Sequence, residues 1–164
     1  MTFTTEDFSK LKSKIDQVKV GMLTTMDGSN YLFSRPMTSQ QLDEEGYLWF
    51  FSSDHSAVAQ QLAQHTHVNV AFSDPGKSLY LSVSGHASVS GDRQKIEQLW
   101  NPLVAAWFPK GKDDPEVALI KVHVHAAEYW DSDSSKMMQL FSMIKAAIVG
   151  EQPKDIGEHG KISR

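Results

Sequence analysis

The chain has 164 residues, of which 40% are hydrophobic and none is cysteine. That length and apolar content suit one folded domain with its own core and exclude a disordered linker, while the absence of cysteine removes thiolate catalysis, iron-sulfur ligation and disulfide stapling. A net charge of -4 argues against a broad nucleic-acid or anionic-membrane footprint, which needs clustered Lys and Arg, so an anionic ligand must find a local positive site.

From the N-terminus, Phe8, Leu11, Ile15 and Val18 recur at three- and four-residue spacing, with Thr4 or Thr5 as N-cap, and predict a first amphipathic helix over Thr5 to Val18. Val20 to Met26 and Tyr31 to Met37 flank Asp27-Gly28 and read as a hairpin. A turn at Asp43 to Gly46 leads into an aromatic third strand, Tyr47 to Ser53. A helix is expected over Asp54 to His65, then a strand over His67 to Ser73, a turn at Asp74 to Lys77 and a long alternating strand from Leu79 to Val89. Asp92 can cap a helix carrying Ile96, Leu99 and Trp100 that stops near Pro102. The Pro- and Gly-containing segment Trp107 to Pro115 follows it. Ala118, Ile120, Val122, Val124 and Ala126 then predict a strand with one buried face, its other face, with Lys121, His123 and His125, being solvated. Ser134 or Ser135 opens a last helix with Met137, Leu140, Phe141, Ile144 and Ile148, ended by Gly150.

About six antiparallel strands with interspersed helices imply an α+β domain, either an open sheet or a partly closed barrel. Periodicity does not choose between the two. Residues 1–150 read as a single domain and residues 151–164 as a polar, mobile tail. No run is long enough to span a bilayer, and the first residues lack a basic start followed by an apolar stretch, so the expected location is cytoplasmic.

Neither a Gly-x-Gly-x-x-Gly nor a Gly-x4-Gly-Lys-Ser/Thr loop is present, so Rossmann and P-loop readings fall away. His65-x-His67 and His123-x-His125 put paired imidazoles on strand faces, but a metal site needs a third ligand and no metal is expected. Arg35 stands between Ser34 and Pro36 in an otherwise apolar hairpin strand and needs a partner. That partner is either a neighbouring carboxylate or a phosphate held bidentately, which the planar guanidinium suits. The N-terminal amides of the 54–65 helix, with the hydroxyls of Ser53 and Ser56, could complete an anion site, although Asp54 opposes it. Most aromatics are core, whereas Trp107 sits where a lid or interface residue is expected.

Taken together, Gly21-Met-Leu-Thr-Thr, Ser34-Arg-Pro-Met37, Gly46-Tyr-Leu-Trp-Phe-Phe-Ser52 and Ser82-Val-Ser-Gly-His-Ala87 resemble the FMN-binding split barrels similar to pyridoxamine 5'-phosphate oxidase. Leu99-Trp100, Ala106-Trp-Phe-Pro109 and Ala127-Glu-Tyr-Trp-Asp131 narrow the resemblance to the bacterial general stress protein subgroup. The resemblance implies a six-stranded antiparallel Greek-key split β-barrel with flanking helices, a homodimer, and FMN in a cleft between subunits. On it, Ser34, Arg35, Pro36 and Met37 line the phosphate and ribityl chain, with Phe50, Phe51, Ser52, Ser53 and Ser56 beside them. Trp107 and Trp130 border the isoalloxazine or the dimer interface.

One departure stands out: where the family commonly offers a Lys to the phosphate, this chain has Ala57, and His55 or Lys77 are the candidate substitutes. The implied function is FMN binding, as a flavin-dependent oxidoreductase or a flavin reservoir linked to stress. The alternative is a split barrel that has lost FMN and binds another cofactor, such as a deazaflavin or haem, or only a protein partner. Pyridoxamine phosphate oxidase activity proper ranks below both, because no second basic cluster is present for a substrate phosphate.

Overall fold

The computed structural model describes residues 4–131 and 158–163. The expected helix from Ser134 to Gly150 lies outside the described residues. Helix α1 spans Thr5–Val18, and Thr4 caps it, its Oγ1 accepting from the Asp7 amide at 3.1 Å. Strands β1 (Val20–Met26) and β2 (Leu32–Leu42) form the expected hairpin, with Asp27 Oδ1 accepting from the amides of Ser29 and Tyr31 in the turn. Then come β3 (Tyr47–Ser53), a short helix α2 (Ala57–Leu62), β4 (His67–Asp74), β5 (Leu79–Ser90), α3 (Arg93–Leu99), α4 (Pro102–Trp107), β6 (Val117–Asp131) and β7 (Glu158–Ser163).

All strand pairs are antiparallel, in the order β3-β2-β1-β4-β5-β6, and β3 pairs back onto β6 to close a six-stranded barrel. The return of β4 to lie beside β1 makes the first four strands a Greek key. Leu23, Leu48, Phe50, Val70, Phe72, Leu81, Val83, Ile120 and Val122 fill the interior. Leu11 and Ile15 of α1, with Val58 and Leu62 of α2, join the same core.

A second, smaller cluster lies outside the barrel wall. Trp49, Val117 and Leu119 face outward there and are covered by Ile96, Leu99, Trp100 and Phe108. Leu119 is therefore buried, which corrects the expectation of one solvated face for this strand. Helix α4 is a further departure, since Pro102 was read only as a stop. Proline fits the first turn of a helix, and Asn101 supplies the cap, its Oδ1 accepting from the amides of Leu103 and Val104 at 3.1 and 3.2 Å.

The β6 alternation also breaks. Val122 and Val124 are buried, but the inward set then becomes Ala127 and Tyr129, because His125 is an extra residue opposite the Ser84-Gly85 step of β5. Such a bulge shifts the parity of everything after it. Gly85 permits it: a Cβ there would lie 2.2 Å from the carbonyl oxygen of His123.

Part of the segment read as a polar tail is a strand instead. β7 pairs with the last six residues of β6, and Ile162 enters the core. Gly160 makes the fit, since a Cβ at that position would meet the Tyr129 ring at 2.3 Å. Only one residue of this strand carries an apolar anchor, too weak a pattern to read from sequence.

Replacing Gly85 with Ala is expected to destabilise the protein by about 2 to 3 kcal/mol, since backbone rather than a flexible side chain must yield. Urea unfolding of the variant and the parent at equal concentration measures it.

Candidate functional site

The inner face of the β1–β2 hairpin is apolar at Leu23 and Met37 but carries Thr25 and Arg35 toward its far end. Arg35 pairs across the ladder with Leu23, so its side chain leaves on the core side of the sheet. Nη1 donates to the Leu23 carbonyl at 3.3 Å and to Thr25 Oγ1 at 2.5 Å, while Nη2 donates to Gln61 Oε1 at 2.9 Å. Thr25 is fully buried, and its hydroxyl donates in turn to Gln61 Oε1. Helix α2 thereby docks on the hairpin through a three-residue polar network.

Every partner of Arg35 is a neutral acceptor. Among the described residues no carboxylate pairs with it, which sets aside the salt-bridge reading of this arginine. Burial moves its pKa below the ordinary arginine value, but a guanidinium stays charged at neutral pH. Three of its five N–H donors are used. The two that remain among the described residues, on Nε and Nη2, share one edge of the guanidinium, a geometry suited to a bidentate acceptor.

Pro36 is tolerated for a topological reason. From Leu32 to Thr38, β2 pairs with β1 alone, and β3 joins only from Ser39 onward. A residue without an N–H suits a half-open strand.

The other expected residues separate into groups. Ser34 faces outward, its hydroxyl 2.5 Å from Thr24 Oγ1, and Pro36 lies on the same exposed face. Met37 packs against the core. Phe50 is fully buried inside the barrel, so its side chain is structural and does not reach a ligand. Phe51 points to the opposite side and meets Trp100 edge-on at 5.7 Å. Ser52 is buried beside Ser56, their hydroxyl oxygens 3.0 Å apart. Ser56 caps α2 by accepting from the Ala59 amide at 3.1 Å, and Ser53 accepts from the His55 amide at 3.4 Å.

Ser56 at the N-cap of α2 and Gln61 within it are thus about 7 Å apart along the helix, at 1.5 Å rise per residue. At six residues it is half the expected 54–65 length and contributes little dipole. Asp54 pairs with His55, Oδ1 to Nδ1 at 2.6 Å. Neither candidate substitute for a cation is in place: His55 lies between Asp54 and Glu116, and Lys77 pairs with Asp74 at 3.7 Å.

Trp107 ends α4 and is 84% exposed, while Trp130 stands on the outer face of β6, on the other side of the sheet from Arg35. Within one chain neither tryptophan joins the Arg35 network. The sequence reading missed Thr25 and Gln61, whose only signal was their placement opposite Arg35 in a register not yet known. It also missed the cross-strand pair His67 and His86, 4.3 Å between ring centroids. Among the described residues no three His, Cys, Asp or Glu side chains converge to hold a metal ion.

A closed six-stranded antiparallel barrel of this topology with a few short helices is a split barrel. Residues 6–154 match the family described as pyridoxamine 5'-phosphate oxidase like, and the chain belongs to that family. The general stress FMN/FAD binding protein of Xanthomonas citri is similar at 36% identity, over 80% of this chain and 93% of that one, with a TM-score of 0.69. A Clostridium acetobutylicum protein related to general stress protein 26 shares the fold at 15% identity and TM-score 0.70, over 96% and 94% of the two chains. The protein bli-3 of Neurospora crassa is 28% identical over 168 residues, 96% of this chain and 80% of that protein.

Phe50→Ala is expected to cost about 3 to 5 kcal/mol of stability, the usual price of emptying a core aromatic position. Thermal unfolding monitored by circular dichroism checks it, and a loss below about 1 kcal/mol would return Phe50 to the candidate ligand contacts.

Proposed function

We propose that this protein binds FMN, with Arg35 as the phosphate grip. The observation that carries the reading is a charged guanidinium on the open half of β2 with only neutral partners and one bidentate edge left. Ser52 near the end of β3 and Ser56 at the N-cap of α2 add hydroxyl groups at the start of the helix that carries Gln61. Phe33, exposed and two residues before Arg35 on the same face, offers an aromatic surface beside the grip. When bound, FMN supplies hydride or single-electron transfer; the chain supplies the hold on its phosphate and the placement of its ring. A flavin-dependent oxidoreductase and a flavin reservoir share that requirement. The FMN/FAD binding named for the Xanthomonas citri protein supports the reading.

The second part of the proposal is a homodimer with the cleft at its interface. Val20, Met22, Pro36, Tyr80 and Trp130 expose apolar surface on one outer sheet face, and Leu103 and Trp107 do so on α4, where they are i and i+4 neighbours. Such patches on a small protein mark contact surfaces. A second copy would also bring the tryptophans toward a grip they do not reach within one chain.

Ala57, exposed at the first residue of α2 where a cation would strengthen the grip, favours a second reading: a barrel that has shed FMN for another cofactor or a protein partner. Titration separates the two. FMN is expected to bind more tightly than riboflavin, and Arg35→Ala to weaken FMN about ten- to a hundredfold through loss of charge-assisted contacts. Affinity for FMN should fall as pH drops through about 6, where the phosphate takes up its second proton while Arg35 stays charged. Equal affinity for FMN and riboflavin, indifferent to Arg35, removes the grip. Light scattering is expected to give twice the 18.4 kDa chain mass, and a monomer at all concentrations removes the shared cleft.

A further inference from the structure

Gln61 is the residue of the Arg35 network whose chemistry is unspent. Its amide has one acceptor and two donors, and the accepting end is fixed by its partners. Arg35 can only donate, so the atom facing Nη2 must be the oxygen. The Thr25 hydroxyl donates to the same oxygen. Two donors converging on Oε1 set the amide plane and leave Nε2 on the other side.

No described residue accepts from Nε2. Among the described residues no buried side-chain nitrogen or oxygen lacks a partner, so this one is open to solvent. A spare amide N–H₂ group is therefore carried on the side chain whose oxygen holds the guanidinium. Ala57, one helical turn earlier on the same face of α2, leaves the space beside it unobstructed by a long side chain.

We propose that Gln61 is a second phosphate-binding residue of this protein, its Oε1 positioning Arg35 and its Nε2 donating to the same phosphate oxygens. The inference rests on the FMN-phosphate reading of the site. The ligand class it selects is a phosphate monoester gripped by one cation and one neutral amide. One ionic contact, rather than two, makes binding only modestly salt-sensitive.

Two variants and two ligands test it. Gln61→Leu removes both ends of the amide and leaves the Arg35 charge, whereas Gln61→Glu keeps acceptors for Arg35 and Thr25 but replaces the donor with an anion. FMN and riboflavin affinities are measured by flavin fluorescence for the parent, both variants and Arg35→Ala. Gln61→Leu is expected to lose about tenfold in FMN affinity and Gln61→Glu about a hundredfold, with riboflavin changed less than about threefold in each. Equal losses for FMN and riboflavin would make Gln61 merely structural and overturn the proposal. So would a Gln61→Leu variant that binds FMN as the parent does while Arg35→Ala does not, an outcome that leaves the phosphate grip intact. A parent protein that does not distinguish FMN from riboflavin overturns both.

Discussion

The site depends on incomplete closure of the barrel. β3 has seven residues, β2 has eleven and β6 has fifteen, so the strand that seals the barrel is too short to cover either neighbour along its whole length. It pairs with the last part of β2 and the first part of β6 and leaves the rest of both free. On β6 the surplus length is taken up by β7, but on β2 the segment from Leu32 to Thr38 has no second strand partner among the described residues. A charged residue can face inward only where such an edge admits water and ligand, because a guanidinium sealed in an apolar core would cost several kcal/mol.

Arg35 uses that position in two ways. Its hydrogen bonds to Leu23, Thr25 and Gln61 tie β2, β1 and α2 into one unit, which fixes the open end of the barrel. The same bonds use only neutral acceptors and leave its charge uncompensated, and that residual charge is the basis for reading the place as an anion seat. A net negative chain needs such a local exception if it is to hold an anionic ligand.

The remaining architecture builds the barrel around this arginine. Gly85 lets β6 cross close to β5 with an extra residue, turning the second half of β6 so that Tyr129 faces the core and Trp130 the outside. Helices α3 and α4 bury the outward side of β3 and the first half of β6. They also carry Leu103 and Trp107 to the surface. Lys95 fastens this layer to the hairpin, reaching Gln41 at 2.8 Å and lying over the Trp49 ring at 4.9 Å.

The order and type of the strands from β1 to β6 were legible in the amino-acid sequence because period-two alternation and turn residues are local properties. So was the singularity of Arg35, a charge in an apolar strand. The family followed from several weak motifs taken in order. Other features depended on tertiary packing. The β6 parity switch needs a partner strand to define a bulge, β7 needs the Tyr129 ring to give Gly160 a purpose, and Phe50 and Phe51 part company only once a sheet has two faces. Whether Arg35 meets a carboxylate or stays free depends on which side chains share its pocket. Thr25 and Gln61, ten residues before it and twenty-six after it, come together there only through the fold.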